Sequence, residues 1–206
     1  MKKQGFGPLD RRQFCSRVPA AAAFCLGCSQ GWALAASSTP AEASTDGHPF
    51  EQEMPPMTFY QWMQQRHRKY IGILTRMKEE VGDQKLLDLL KKASFAENVE
   101  LGRRLSGRID SIEAFADPFR DPDSFIGKTI VREIVTDTDT VFEMKITECV
   151  TERVFREEGA SDLGYACVCH ADFGLPEGLD IDIRLERSKT LMQGHGCCNH
   201  RYVLMG

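Results

Sequence analysis

The spacing of apolar residues changes character near residue 129, and that change restricts the fold more than any other feature. Phe59, Trp62, Met63, Tyr70, Ile73, Leu74 and Met77 recur at three- and four-residue steps, the period of one helical face. Thr58 is a fitting N-cap behind Pro55-Pro56, and Gly82 a fitting stop. Leu86, Leu87, Leu89 and Leu90 carry a second helix, and Ala96 to Leu105 a third, ended by Gly107. Asp117-Pro118 through Asp121-Pro122 breaks the period and predicts a loop. From Thr129 to Thr136, and again from Thr140 to Thr147, the period is two, with Asp137-Thr138-Asp139 as a hairpin turn. Val150 to Glu158 has helical composition and Gly159 stops it; Asp180 to Glu186 and Asn199 to Leu204 predict the last strands. Helices first and strands later, with little βα alternation, define an α+β fold: N-terminal helices packed on a mainly antiparallel sheet.

The N-terminus reads as an address. Lys2 and Lys3 precede Asp10-Arg11-Arg12-Gln13-Phe14, an apolar stretch from Val18 to Gly27, and Ala33-Leu34-Ala35, a small-x-small exit. The paired arginines resemble a twin-arginine export signal, which makes the export machinery an expected partner and the periplasm or exterior the expected location. Leu26-Gly27-Cys28 offers an alternative, lipidation at Cys28. Residues 1–35 are thus expected to be a signal, 36–56 a linker rich in Ser, Thr, Pro, Ala and Glu, and 57–206 a single domain. About 170 residues after cleavage suffice for one core. The net charge of −4, without a basic stripe, argues against nucleic acid, and no run of 18 apolar residues predicts a membrane span.

Chemistry concentrates in the last third. Cys149, Cys167, Cys169, Cys197 and Cys198 all lie beyond residue 148, an odd number that a complete disulfide framework cannot use up. Cys169-x-x-Asp172 sets a thiol and a carboxylate one helical turn apart, and Cys198-x-His200 sets two side chains on one side of a strand. Cys149, Cys169, Cys198 and His200 form a candidate ligand set for zinc or another divalent metal. Cys169, Asp172, Cys198 and His200 equally suit catalysis, with a cysteine nucleophile, an imidazole base and an orienting or proton-carrying carboxylate. The plainer readings are a buried Cys167 acting as a small hydrophobe, disulfides between Cys197-Cys198 and Cys167 or Cys169, a loop His195, and His67 on a solvated helix face. Asp180, Asp182, Arg184, Glu186 and Arg187 look like the outer edge of an alternating strand.

One ordered set of residues resembles a known family. Glu148-Cys149, Gly159, Leu163-Gly164-Tyr165, Cys169-His170-Ala171-Asp172, Arg187-Ser188-Lys189-Thr190-Leu191, Gly194 and Cys198-Asn199-His200-Arg201-Tyr202 are similar to the pattern of the L-2-amino-thiazoline-4-carboxylic acid hydrolase family. The resemblance implies a small-molecule substrate and hydrolytic opening of a cyclic amidine: water adds to the ring carbon between nitrogen and sulfur, and N-carbamoyl-cysteine results. It implies Asp172 as general base, His200 as acid or ligand, and Cys169 and Cys198 as ligands or as a nucleophilic pair. His195 and the vicinal Cys197 depart from the pattern. The alternative function is an exported metal-binding or thiol redox protein without turnover.

Overall fold

The computed structural model describes residues 56–206. The export signal, the Cys28 lipobox and the linker up to residue 55 lie outside the described residues. The element order is α1 (Phe59–Val81), α2 (Asp83–Leu105), α3 (Ile112–Arg120), α4 (Phe125–Thr129), β1 (Ile130–Asp137), β2 (Val141–Cys149), α5 (Val150–Glu157), α6 (Ser161–Gly164), a π-helical turn (Tyr165–Cys169), a 3-10 turn (His170–Phe173), α7 (Gly174–Gly178), β3 (Ile183–Glu186), a second 3-10 turn (Leu191–Gln193) and β4 (Cys198–Leu204). The four strands form one antiparallel sheet in the order β1-β2-β4-β3. The α+β expectation holds. No helix among the described residues is long and apolar enough to cross a membrane.

Local chemistry explains the boundaries. The Thr58 hydroxyl accepts from the Gln61 amide at 3.2 Å, and the Gln61 side chain accepts from the Thr58 amide at 2.8 Å, a reciprocal cap that starts α1. Gly82, at φ 93°, ends α1 in a conformation that side chains resist. The second and third expected helices are one, α2, because nothing between Leu90 and Ala96 breaks a helix. The expected loop at Asp117-Pro118 is instead the last turn of α3, and the chain leaves the helix at Asp121. The hairpin turn forms as expected: the Thr138 amide donates to the Val141 carbonyl at 2.9 Å. The strand expected from Asp180 starts only at Ile183.

Burial alternates along β2 and β4, so Phe142, Met144 and Ile146 face inward beside Cys198, His200 and Tyr202. Helix α3 covers that face with Phe115, whose ring centroid is 4.5 Å from that of Tyr202, and with Phe119. A second apolar cluster joins α1 to α5 and α6 through Met63, Ile71, Leu74, Val154, Phe155 and Leu163. Backbones meet where α7 crosses α2: a Cβ on Gly178 would lie 2.0 Å from the Val99 carbonyl oxygen, and one on Gly102 would lie 2.4 Å from that of Leu175.

Helix α1 departs from the sequence reading on both faces. His67, expected in solvent, is buried (4% exposed), with its ring 5.7 Å from that of Phe155. Ile73 and Met77, expected inside, are 49% and 44% exposed. Ile71 supplies the buried position instead, and the interhelical side centres on His67. Burial first, and then the neighbouring Arg66 charge, pushes the His67 imidazole down to about 4. An unfolded chain takes up that proton near pH 6.5 and the folded chain only near pH 4. The unfolded state therefore binds more protons across this window, and stability falls as pH drops through it. From pH 8 to pH 4.5 the His67 contribution to this loss is about 2 kcal/mol. The expected result for His67→Phe is a pH 8 to pH 4.5 stability difference smaller by that amount, measured by urea unfolding. An unchanged difference would contradict the assignment.

Candidate functional site

The residues that follow α6 leave α-helical geometry. The chain passes through a π turn at Tyr165–Cys169 and a 3-10 turn at His170–Phe173 before α7. Such turns displace backbone carbonyls from their usual partners, and α2 supplies replacements: Ser94 Oγ donates to the Ala166 carbonyl at 2.7 Å, and Asn98 Nδ2 donates to the Ala171 carbonyl at 2.8 Å. Cys169 and Asp172 are thereby held against the sheet.

Arg187 is the centre of the site. Strand β3 buries Ile183 and Leu185 and exposes Arg184 and Glu186; Arg187, one residue past its end, continues the inward phase, its side chain 2% exposed. One terminal nitrogen donates to Asp172 Oδ2 at 2.5 Å and lies 3.3 Å from His200 Nε2; the other donates to the Cys169 carbonyl at 2.6 Å. The guanidinium also lies over the Phe173 ring, 4.7 Å from its centroid. The loop after Arg187 is pinned by Asn199 Oδ1, which accepts from the amides of Ser188 at 3.1 Å and Lys189 at 2.6 Å.

The three segments near 149, 170 and 199 do meet. Cys149, Cys169 and Cys198 interact electrostatically with one another and with Asp172, and Arg187 with Cys169, Cys198, Asp172 and His200. Burial dominates their protonation. It raises all three thiols, Cys198 to about 11 and Cys169 well above its ordinary range. The Cys198 sulfur accepts from the Leu191 amide at 3.2 Å. The Cys149 sulfur, at the start of α5, is partly compensated by the amides of Glu152 and Thr151. Burial and then the Arg187 charge push His200 down to about 3, so it is neutral at ordinary pH. With Nε2 facing the guanidinium, its proton belongs on Nδ1, 3.5 Å from the Tyr202 hydroxyl. Desolvation raises Asp172 above the usual carboxylate range and the Arg187 charge pulls it back only in part. The Asp172 side chain remains 31% exposed, the one member of the ion pair that solvent reaches.

Cys167, expected to be buried, is only half-buried against the α1–α5 cluster, and Cys197 is half-buried too. All five described cysteines are free, so the expected disulfides between Cys197-Cys198 and Cys167 or Cys169 do not form here. His195 closes its own loop, its Nδ1 accepting from the Thr190 amide at 3.2 Å. No group of three or more His, Cys, Asp and Glu among the described residues is placed to hold a metal ion. The expected zinc or other divalent set of Cys149, Cys169, Cys198 and His200 therefore needs correcting. The physical reason is Arg187: a fixed positive charge faces His200 Nε2 and repels a cation where the donors would have to converge. A cleft of about 490 Å³, lined in part by Tyr60, Lys128, Cys149, Glu152, Arg153 and Arg156, reaches this cluster through Cys149.

The family pattern matches across residues 62–202, which holds every side chain of this cluster. The chain belongs to the L-2-amino-thiazoline-4-carboxylic acid hydrolase family. Arg187, read from the sequence as part of the outer edge with Arg184 and Glu186, is instead in phase with buried Ile183 and Leu185 and is a family-matched residue at the centre of the site. No curated protein matches the chain. Among solved structures, a trafficking protein particle complex subunit 3 from Naegleria fowleri, covalently bound to palmitic acid, is similar at 15% identity and a TM-score of 0.46, over 70% of this chain and 95% of that one. The phenol-responsive sensory domain of the transcription activator PoxR, with phenol, is similar at 13% identity and a TM-score of 0.41, over 75% and 78%. Neither likeness is close enough to bear on what this chain binds.

Proposed function

We propose that this member of a hydrolase family opens a small cyclic amidine of the 2-aminothiazoline-4-carboxylate kind by adding water to the carbon between nitrogen and sulfur. The observation that supports it is the Asp172–Arg187 pair: a carboxylate with a raised pKa, open to solvent on one side, held by a buried guanidinium. A base works best with a pKa near the working pH. Asp172 takes a proton from water as the oxygen bonds to the ring carbon, and the C=N electron pair moves to the ring nitrogen. Collapse forms C=O and breaks C–S. Water's two hydrogens end on the ring nitrogen and the departing sulfur, its oxygen on the carbon. Arg187 holds Asp172 charged between turnovers and offsets negative charge that builds on the ring nitrogen and the added oxygen. His200, neutral and fixed between Arg187 and Tyr202, orients the guanidinium.

Direct attack by a cysteine is the weaker route. With its thiol at about 11, Cys198 is a thiolate in only about one molecule in ten thousand at neutral pH. Cys169 is raised further still. Both thiols then act as small, polarisable walls of the site. The export signal read over residues 1–35 would place this activity outside the cytoplasm. Incubation of the protein with 2-aminothiazoline-4-carboxylate is expected to form N-carbamoyl-cysteine, detected by mass spectrometry, with its own free thiol appearing in equal amount to a thiol-reactive dye. Absence of the ring-opened thiol with that compound, and with ring analogues lacking the carboxylate, would reject the proposal.

A further inference from the structure

The charges around the cleft beside Cys149 are unequally answered. Its walls carry three cations, Lys128, Arg153 and Arg156. Two are balanced within the fold: Arg153 Nε reaches Glu157 Oε1 at 3.0 Å and its guanidinium lies over the Tyr60 ring, and Arg156 Nε reaches Glu152 Oε1 at 2.8 Å. Lys128 is exposed and has no ion pair among the described residues. Its backbone is nonetheless fixed. Ser124 caps α4, its Oγ accepting from the Gly127 amide at 2.7 Å, and the Lys128 amide donates to the Ser124 carbonyl at 3.0 Å. Two residues beyond Lys128, Ile130 pairs with Cys149 across the β1–β2 ladder, so at most about 7 Å of chain separates the cation from that pairing. Cys149 in turn interacts electrostatically with Asp172, Cys169 and Cys198. The cleft thus leads from an unanswered cation to the reactive cluster.

A positive side chain left without a partner beside a cavity of about 490 Å³, a size usual for small-molecule sites, suits a small anion. We propose that this cleft admits the ring substrate and that Lys128 holds its carboxylate, which makes Lys128 the residue that selects anionic rings. The identity of the ring rests on the ring-opening function proposed above; the preference for a carboxylate rests on the cleft. Glu148, a lining acid with no ion pair among the described residues, is the chain neighbour of Cys149, at the end where the ring's basic amidine arrives. Opposite charges at the two ends orient the ring, with its carboxylate toward α4 and the carbon between nitrogen and sulfur toward the cluster. Lysine suits the task because its flexible stem carries a compact charge.

Calorimetric titration of the full chain with thiazolidine-4-carboxylate is the test. This ring has no C=N bond, so water cannot add and binding is read alone. Wild type should bind it about tenfold more tightly than thiazolidine-4-carboxamide, the same ring without the negative charge. Lys128→Gln should lose about tenfold in affinity for the carboxylate and little for the carboxamide, while Lys128→Arg should stay within about threefold of wild type. The side chain is exposed, so both variants should keep the wild-type Tm. Wild type that binds neither probe at millimolar concentration, or binds both equally, overturns the proposal, as does a Lys128→Gln variant with wild-type affinity. Lys128-dependent binding without ring-opened product from 2-aminothiazoline-4-carboxylate would leave this site standing and remove the hydrolase reading. Turnover of that compound with KM unmoved in Lys128→Gln would do the reverse.

Discussion

Asp172→Asn is expected to lower kcat about 10²–10⁴-fold on any ring substrate the protein turns over. The amide keeps the shape of the carboxylate and a hydrogen bond to Arg187, but it takes no proton from water. Asp172 also dictates the pH profile. Its carboxyl lies above the ordinary carboxylate range because burial outweighs the attraction of Arg187. Activity of the native protein should therefore fall on the acid side at a higher pH than an exposed aspartate would give. This limb should vanish from whatever residual rate Asp172→Asn retains, measured by thiol release across pH 4 to pH 9. Turnover within tenfold of wild type, or an acid limb unchanged in the variant, would remove Asp172 from the role of base.

Arg187→Met should give the largest loss of stability. The guanidinium is 2% exposed and holds three groups at once: Asp172, the Cys169 carbonyl and His200. Methionine fills much of the space but leaves the Cys169 carbonyl without its donor and the partly solvated Asp172 carboxylate without its partner. Removing one member of a buried ion pair costs about 3–5 kcal/mol, with the partly solvated Asp172 setting this pair at the lower end, and in a domain of this size each kcal/mol lowers Tm by about 2–4 °C. A fall of roughly 10 °C is the expected calorimetric result. Arg187→Met combined with Asp172→Asn should lose less than the two single losses added, since the second change removes the charge that the first one strands. A Tm shift below about 3 °C for Arg187→Met would mean that the pair is no anchor of the fold.

The class of fold was legible because it depends on periodicity, and a change from steps of three and four to steps of two survives every local error. The boundaries that were misread depended on energies a single sequence does not display. Pro118 sits inside α3, where it forgoes one amide hydrogen bond, and the helix ends two residues later at Arg120. His67 and Ile73 exchanged roles because an imidazole can be buried without charge, so a polar residue occupied the inner line of α1 and moved the face by a step. At the site, Cys149, Cys169, Asp172, Cys198 and His200 were all visible as a cluster of reactive side chains. Arg187 was not, because a charged residue next to Glu186 was grouped with the outer edge although its parity is that of the buried Ile183 and Leu185. The metal reading failed for the same reason: it counted donors without the cation that stands among them.

The π turn at Tyr165–Cys169 has a wider meaning for how this pocket is built. An α-helix carries side chains round by about 100° per residue, so one surplus residue in a turn amounts to a phase step of that size. Before the step, Gly164 abuts Phe155 and Met192 on the apolar side; after it, Asp172 meets Arg187 on the polar side. Alignment of the carboxylate is therefore encoded in a length, and a change in the number of residues there would mis-aim it even if every reactive group were kept.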